Sequence, residues 1–200
     1  MFFGLILKYT LRRLQSISGS KLLRKPKHKL APQELFEFAV RSLGHRAQSS
    51  AELREKLRER AAEETSVEEV LDRLREYGYL DDKRFAENYA ASRLENERFG
   101  RARTLNDLRS RRVNGPIADA AVENAYKETD ETALVEACIR KKFRSVPRET
   151  LFKEDKDLAR AYQRLLRAGF RAAVIVPVLK RFAKNPDLLD AIEEPDPIED

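Results

Sequence analysis

The strongest constraint on this chain is that it repeats itself. Residues 51–61 read Ala-Glu-Leu-Arg-Glu-Lys-Leu-Arg-Glu-Arg-Ala and residues 102–112 read Ala-Arg-Thr-Leu-Asn-Asp-Leu-Arg-Ser-Arg-Arg. An offset of 51 therefore superposes Ala51 on Ala102, Leu57 on Leu108, Arg58 on Arg109 and Arg60 on Arg111. The same offset carries Val70, Leu71 and Leu74 onto Ala121, Val122 and Ala125. A further offset of 57 carries Leu108 to Leu165 and leads on to Ile175, Val178, Leu179 and Phe182. Within each copy the apolar positions recur three and four residues apart, the spacing of one helix face. A unit of this length buries too little apolar surface to be secure alone, so successive copies are expected to lean on one another. The fold class is thus all-α, with three tandem three-helix repeats forming an elongated, curved array. The expected parts are a basic extension at 1–30, flexible or amphipathic, repeats at 31–80, 81–129 and 130–184, and an acidic, disordered tail at 185–200.

Local signals place the helices. Pro32 suits the first turn of an opening helix that runs to about Gly44 or Arg46, with Leu35, Ala39 and Leu43 on one stripe. Ser49-x-x-Glu52 has capping-box spacing for a second helix, and Ser66-x-x-Glu69 repeats it for a third. Asn114-Gly115-Pro116 breaks the second repeat between the helix ending near Arg112 and the one carrying Ile117, Ala121 and Val122. The third repeat is read as helices over roughly 131–144, 155–168 and 171–183, its first connection lengthened around Ser145 to Lys153 and Gly169 dividing the last two.

Between the first and second copies lies Gly78-Tyr79-Leu80-Asp81-Asp82, followed by Arg84-Phe85-Ala86. Gly78 follows a helix whose Val67, Val70, Leu71 and Leu74 share a face, the place of the left-handed residue that ends a helix. Asp81 or Asp82 then accepts amide protons of the next helix. Tyr77, Tyr79 and Phe85 are expected to pack between the first two repeats, which makes Gly78, Tyr79, Leu80, Asp81, Asp82, Arg84 and Phe85 a structural box and not a contact surface.

This box, the Ser-x-Ala-Glu-Leu-Arg-x-Lys-Leu run at 49–57 and the Leu-Leu-Arg-Ala-Gly-Phe segment at 165–170 resemble the RecX family, regulators of the bacterial recombinase RecA. The resemblance covers about three quarters of the chain; the two ends depart from it. It implies a non-catalytic protein lying along the groove of the RecA filament on single-stranded DNA. There it would modulate, mainly inhibit, filament extension, ATP turnover, strand exchange and coprotease activity in DNA repair, homologous recombination and the SOS response. The alternative left open by the residues themselves is a helical protein acting directly on nucleic acid. The expected partners are the RecA filament and single-stranded DNA, bound directly or through RecA. No small-molecule substrate, cofactor or membrane is expected, and the chain is expected to be a cytoplasmic monomer.

The chemistry available agrees with a non-enzyme. One cysteine permits no internal disulfide, and Cys138, one turn after Leu134, reads as a small core residue. His28 and His45 stand alone and supply no zinc spacing, and no phosphate-cradling glycine loop or nucleophile elbow is present. Adjacent carboxylates at Asp81 and Asp82 point about 100° apart on a helix, which suits capping better than metal binding. No convergent set of acid, base and nucleophile can be assembled.

The net charge of +6 is unevenly spread. Residues 1–30 hold eight Lys or Arg and no acid, residues 185–200 hold seven acids and no base, and the middle holds 32 bases against 27 acids. Candidate contacts are therefore sought among exposed bases of the repeats. Arg93, Arg98, Arg101, Arg103, Arg109, Arg111 and Arg112 lie within one stretch against Glu95, Glu97 and Asp107, and a guanidinium suits carboxylates and phosphates alike. A smaller candidate is Arg140, Lys141, Lys142 and Arg144; for both groups a solvated helix face is the competing reading. In the extension, Phe2, Phe3, Leu5, Ile6, Leu7, Leu11 and Leu14 alternate with Lys8, Arg12 and Arg13. That pattern fits an amphipathic anchor on an anionic membrane or DNA, a transit peptide, or an unstructured extension. The acidic tail reads as solubilising, or as a competitor for the arginine-rich stretch.

Overall fold

A computed structural model describes residues 29–142, 152, 155–183 and 189 of the 200-residue chain. Among them the secondary structure is helical, with two isolated bridges, Leu30 to Ala61 and Phe152 to Ala183, in place of strands. The first repeat comprises α1 (Pro32–His45), α2 (Ser50–Arg58) and α3 (Thr65–Glu76). The second comprises α4 (Asp82–Ser92), a π-helical turn (Arg93–Glu97), α5 (Arg101–Ser110) and α6 (Gly115–Tyr126). The third comprises α7 (Glu131–Lys142), α8 (Asp155–Arg167) and α9 (Ala172–Lys180). In each, the third helix packs on both of the others.

The offsets read from the sequence coincide with structural equivalence. Leu53, Thr104 and Ala161 are all buried, as are Leu57, Leu108 and Leu165 on the same helix, and Val67, Ala118 and Ile175 on the next. Burying one such leucine is worth roughly 1.5–3 kcal/mol, whereas an alanine contributes far less. The second repeat uses Ala86, Ala90, Ala118 and Ala121 where the first has Leu35, Ala39, Val67 and Val70. Small residues let α4 and α6 approach closely, but they leave that repeat with little apolar surface of its own. The core shows the consequence: the second and third repeats share one continuous cluster, while the first has a separate one. Cys138 belongs to the shared core, and so does Leu189, which the sequence reading assigned to the acidic tail.

Helix ends follow the chain's own signals with one exception. Pro32 opens α1, and Glu34 reaches back to accept from Ala31 N at 3.0 Å. The Ser49/Glu52 box forms completely, Glu52 N donating to Ser49 Oγ at 3.1 Å and Ser49 N to Glu52 Oε2 at 3.2 Å. The expected Ser66/Glu69 box does not form: α3 begins at Thr65, so Ser66 lies within its first turn and is buried. At the C-termini, α3, α5 and α8 close in the same way. Gly78 (φ +70°), Arg112 (φ +58°) and Gly169 (φ +90°) are left-handed, and the next residue's N–H returns to Leu74 O, Leu108 O and Leu165 O respectively. Arg112 holds a conformation that favours glycine, at a cost of about 1 kcal/mol.

Candidate functional site

The arginine-rich stretch runs from the end of α4 through α5, and the fold divides it into two populations. Three arginines form an alternating column with aromatic rings. The Arg111 guanidinium lies 6.0 Å from the Phe85 ring centre and 4.9 Å from that of Tyr89. Arg93 lies 4.7 Å from Tyr89 and 5.5 Å from Phe99, and Arg103 lies 4.8 Å from Phe99. Each contact is worth about 0.5–1 kcal/mol at such half-exposed positions. Asp107 neutralises the middle of the column, at 3.4 Å from Arg93 and 3.8 Å from Arg103.

The two ends of the column reach the neighbouring repeats. Arg111 Nη1 donates to Glu52 Oε1 and Oε2 of α2 at 3.2 and 3.4 Å, and its carbonyl accepts from Ser49 Oγ at 2.6 Å. Burial alone would lower the Arg111 pKa, but its hydrogen bond to Tyr89 and the Glu52 charge outweigh that and hold it above the ordinary guanidinium value. Asp82 completes this junction by accepting from Ser50 N at 2.7 Å, so it caps α2 of the preceding repeat while Asp81 caps its own helix through Arg84 N at 2.9 Å. At the other end, Arg103 Nη1 donates to Arg167 O at 3.0 Å.

The remaining arginines face outward. Arg101 pairs with Glu123 at 2.6 Å, Arg109 with Asp119 at 3.3 Å and Arg112 with Glu55 at 3.4 Å, all with about half or more of the side chain exposed. Arg98, left-handed at φ +56°, is exposed and has no carboxylate partner among the described residues. Exposed pairs contribute about 0–1 kcal/mol each and exchange readily for another anion. In α7, Arg140 pairs with Glu136 at 3.2 Å, and Lys141 contacts Glu97 at 3.7 Å and the carbonyl of Asn96. Lys142 ends that helix, its side chain beyond what is described, and Arg144 lies outside the described residues. The expected role of the acidic tail as competitor likewise falls outside them, Leu189 apart.

Several residues that shape the site carried no visible signal. Gly100, at the start of α5, meets Gly169 so closely that a Cβ on it would lie 2.3 Å from Gly169 O, and Gly100 N donates to Ala168 O at 2.7 Å. Beside this contact, the buried Tyr126 hydroxyl donates to Phe99 O at 2.9 Å and meets Thr104 Oγ1 at 2.8 Å. Of the box residues, Leu80 is buried and Phe85 packs against the shared core. Tyr77 and Tyr79 do not pack between repeats as expected: they are 60% and 56% exposed, because the Gly78 turn swings both outward and Tyr77 rests on Phe36. Among the described residues no three metal-ligating side chains come together, and no helix is long and apolar enough to cross a membrane.

Two family models match the chain: the first three-helix domain of RecX at residues 36–74 and the second at residues 81–122. Among curated relatives, the regulatory protein RecX of Deinococcus radiodurans is 33% identical over 164 residues, covering 80% of this chain and 74% of that protein. That of Syntrophotalea carbinolica is 29% identical over 147 residues, covering 73% of this chain and 95% of its own. That of Haemophilus influenzae is 32% identical over 138 residues, covering 68% and 87%. The crystal structure of RecX from Lactobacillus salivarius shares the fold, with a TM-score of 0.61 at 20% identity over 76% of this chain and 96% of that one.

Proposed function

The chain belongs to the RecX family, and from that premise we propose that it is a non-catalytic regulator that binds the RecA filament on single-stranded DNA and restrains it. The observation that carries this reading is the 33% identity to a regulatory RecX protein over 80% of the chain. What the fold adds is a means. Three units joined in series present the outward arginines Arg98, Arg101, Arg109 and Arg112 on the middle one, with Arg140 and Lys141 on the next. A series of rigid units with exchangeable cations at successive positions is suited to span neighbouring recombinase subunits in a filament groove. Arg93, Arg103 and Arg111 would act from within, by fixing the angle between repeats.

No bond need be made or broken. A protein that binds one filament state better than another shifts the recombinase toward that state by its difference in affinity, and binding at growing ends would block many later additions. Filament extension, ATP turnover, strand exchange and coprotease activity would fall together, and the protein would act in the cytoplasm as a monomer.

The test is the single-stranded-DNA-dependent ATPase of the cognate RecA, titrated with this protein from far below equimolar. Inhibition at substoichiometric amounts is expected. The combined variant Arg98→Ala, Arg101→Ala, Arg109→Ala, Arg112→Ala should be within about 3 kcal/mol of the parent in stability, since it removes three exposed pairs worth 0–1 kcal/mol each, yet inhibit at least tenfold more weakly. No inhibition by the parent protein up to equimolar amounts would overturn the reading.

A further inference from the structure

The two junctions of the array use the same places but different bonds. Ser49 and Gly100, equivalent at the offset of 51, are each the N-cap of their repeat's second helix. Arg111 and Ala168, equivalent at the offset of 57, each follow the second helix of the next repeat. At the second junction backbone meets backbone: Gly100 N donates to Ala168 O at 2.7 Å, Gly100 and Gly169 leave no room for a Cβ, and the buried residues on both sides belong to one core. At the first, no backbone-to-backbone hydrogen bond crosses among the described residues, the cores are separate, and each hydrogen bond across it uses a side chain. Beside them a cleft of about 350 Å³ stands open, with Leu43, Ala47 and Gln48 facing Phe85, Asn88 and Tyr89. We propose that the first repeat is a hinged arm on a rigid body made of the second and third, turning at Asp81 and latched in the observed position by Arg111 on Glu52 and Ser49.

The pivot is short. Leu80 is anchored in the first core and Asp82 already opens α4, so Asp81 alone lies between the two units, its backbone extended at φ −150° and ψ 105°. Hinges of this kind concentrate the torsional change in a few linking residues. Turning there divides no core. It releases Ser49 Oγ from Arg111 O, Ser50 N from Asp82, Glu52 from Arg111 and Glu55 from Arg112. Segments held by polar contacts and little apolar burial are the ones that open at low free energy. The latch is also accessible: Glu52 and Arg111 keep 20% and 26% of their side chains exposed, so dissolved ions reach the pair and weaken it. Arg111 remains stacked on Phe85 and Tyr89 within its own repeat, so opening leaves the second unit intact. The second junction has no such freedom. Turning it would pull Gly100 from Ala168 and split a continuous core, and it is braced further by Arg103 on Arg167 O and Lys141 on Asn96 O. The arm lets the first repeat change its angle on a curved partner while the other two stay seated.

The experiment uses the full chain with no recombinase present, so its failure leaves the regulatory proposal untouched. Spin labels are placed on exposed positions, Glu69→Cys with Asn124→Cys across the first junction and Asn124→Cys with Gln163→Cys across the second, and the distance distribution of each pair is read by double electron–electron resonance. The native Cys138 is 1% exposed and stays out of reach of the label. Glu52→Gln removes the charge from the latch while its amide oxygen still serves the Ser49 capping box, so the variant keeps its fold, checked by an unchanged helical circular dichroism spectrum. Glu52→Gln and, separately, salt at about 1 M, where charges act over only about 3 Å, are each expected to widen the first-junction distribution at least about twofold. The second-junction distribution is expected to stay as it was. Arg46→Ala, which removes the other partner of Glu52 inside the first repeat, should leave both unchanged. A first-junction distribution that stays as narrow as the second under both perturbations overturns the proposal, and so does widening of the two together.

Discussion

Replacing Gly100 by alanine would place a methyl carbon 2.3 Å from Gly169 O and 2.5 Å from Gly169 C. Both neighbours are backbone, so no side chain can rotate away, and α5 and the end of α8 must part by about 1 Å. Overpacking of this kind costs about 1–3 kcal/mol, and stretching the Gly100 N to Ala168 O bond adds about 1 kcal/mol, for a total near 2–4 kcal/mol. For a chain of this size that lowers Tm by roughly 5–15 °C. Gly100 sits at φ −76°, ψ 165°, which alanine adopts freely, so the loss is purely steric. Gly115→Ala is the control: nothing lies within 4 Å of its added carbon, and it should melt at or slightly above the parent temperature. Calorimetry of the two variants decides the matter, and a Gly100→Ala protein that melts with Gly115→Ala would refute the close docking of the second and third repeats. Under the proposed function, the same variant should inhibit RecA less, measured below both melting temperatures, because the third repeat would no longer hold its angle.

Arg111→Ala should cost about 1.5–3 kcal/mol, since it removes a charged hydrogen bond to Glu52 and stacking on two rings. A double-mutant cycle with Glu52→Ala, read by urea melts, should return a coupling of at least about 0.5 kcal/mol, and strict additivity would remove the pair from the junction. Arg54 and Glu68 form a two-pronged pair, Nε to Oε1 at 2.6 Å and Nη2 to Oε2 at 3.0 Å, and that hydrogen bond holds the Glu68 pKa below its ordinary value. A carboxylate with a lowered folded pKa contributes stability that is complete above its unfolded value of about 4.5 and is lost as pH falls through the lower folded value. Half-exposed, the pair is worth at most about 1 kcal/mol, so Glu68→Gln should melt slightly below the parent at pH 7, and the gap should narrow as the pH is lowered from 4.5 through the folded value. A gap that does not narrow on acidification would show that the carboxylate charge is not the source.

The sequence by itself determined the repeat, its period and nearly every helix. Leu57, Leu108 and Leu165 fall on one another because each repeat must bury the same face, and burial at helical spacing is a local, periodic property written in the order of residues. The Gly78 stop and the Ser49 cap were legible for the same reason, since each is satisfied within a few residues of itself. The Ser66 box was misread because an identical spacing occurs one step inside α3, where backbone hydrogen bonds take precedence over the side chain. Only the tertiary structure decided which arginines face outward. Arg93 and Arg98 look alike in sequence, yet one is packed between Tyr89 and Phe99 and the other meets solvent, because the π-helical turn between them rotates the chain. It also decided that the second and third repeats share a core through Gly100 and Gly169, which are 69 positions apart. Contacts at such separation depend on how whole helices dock, and no periodicity within either helix records them.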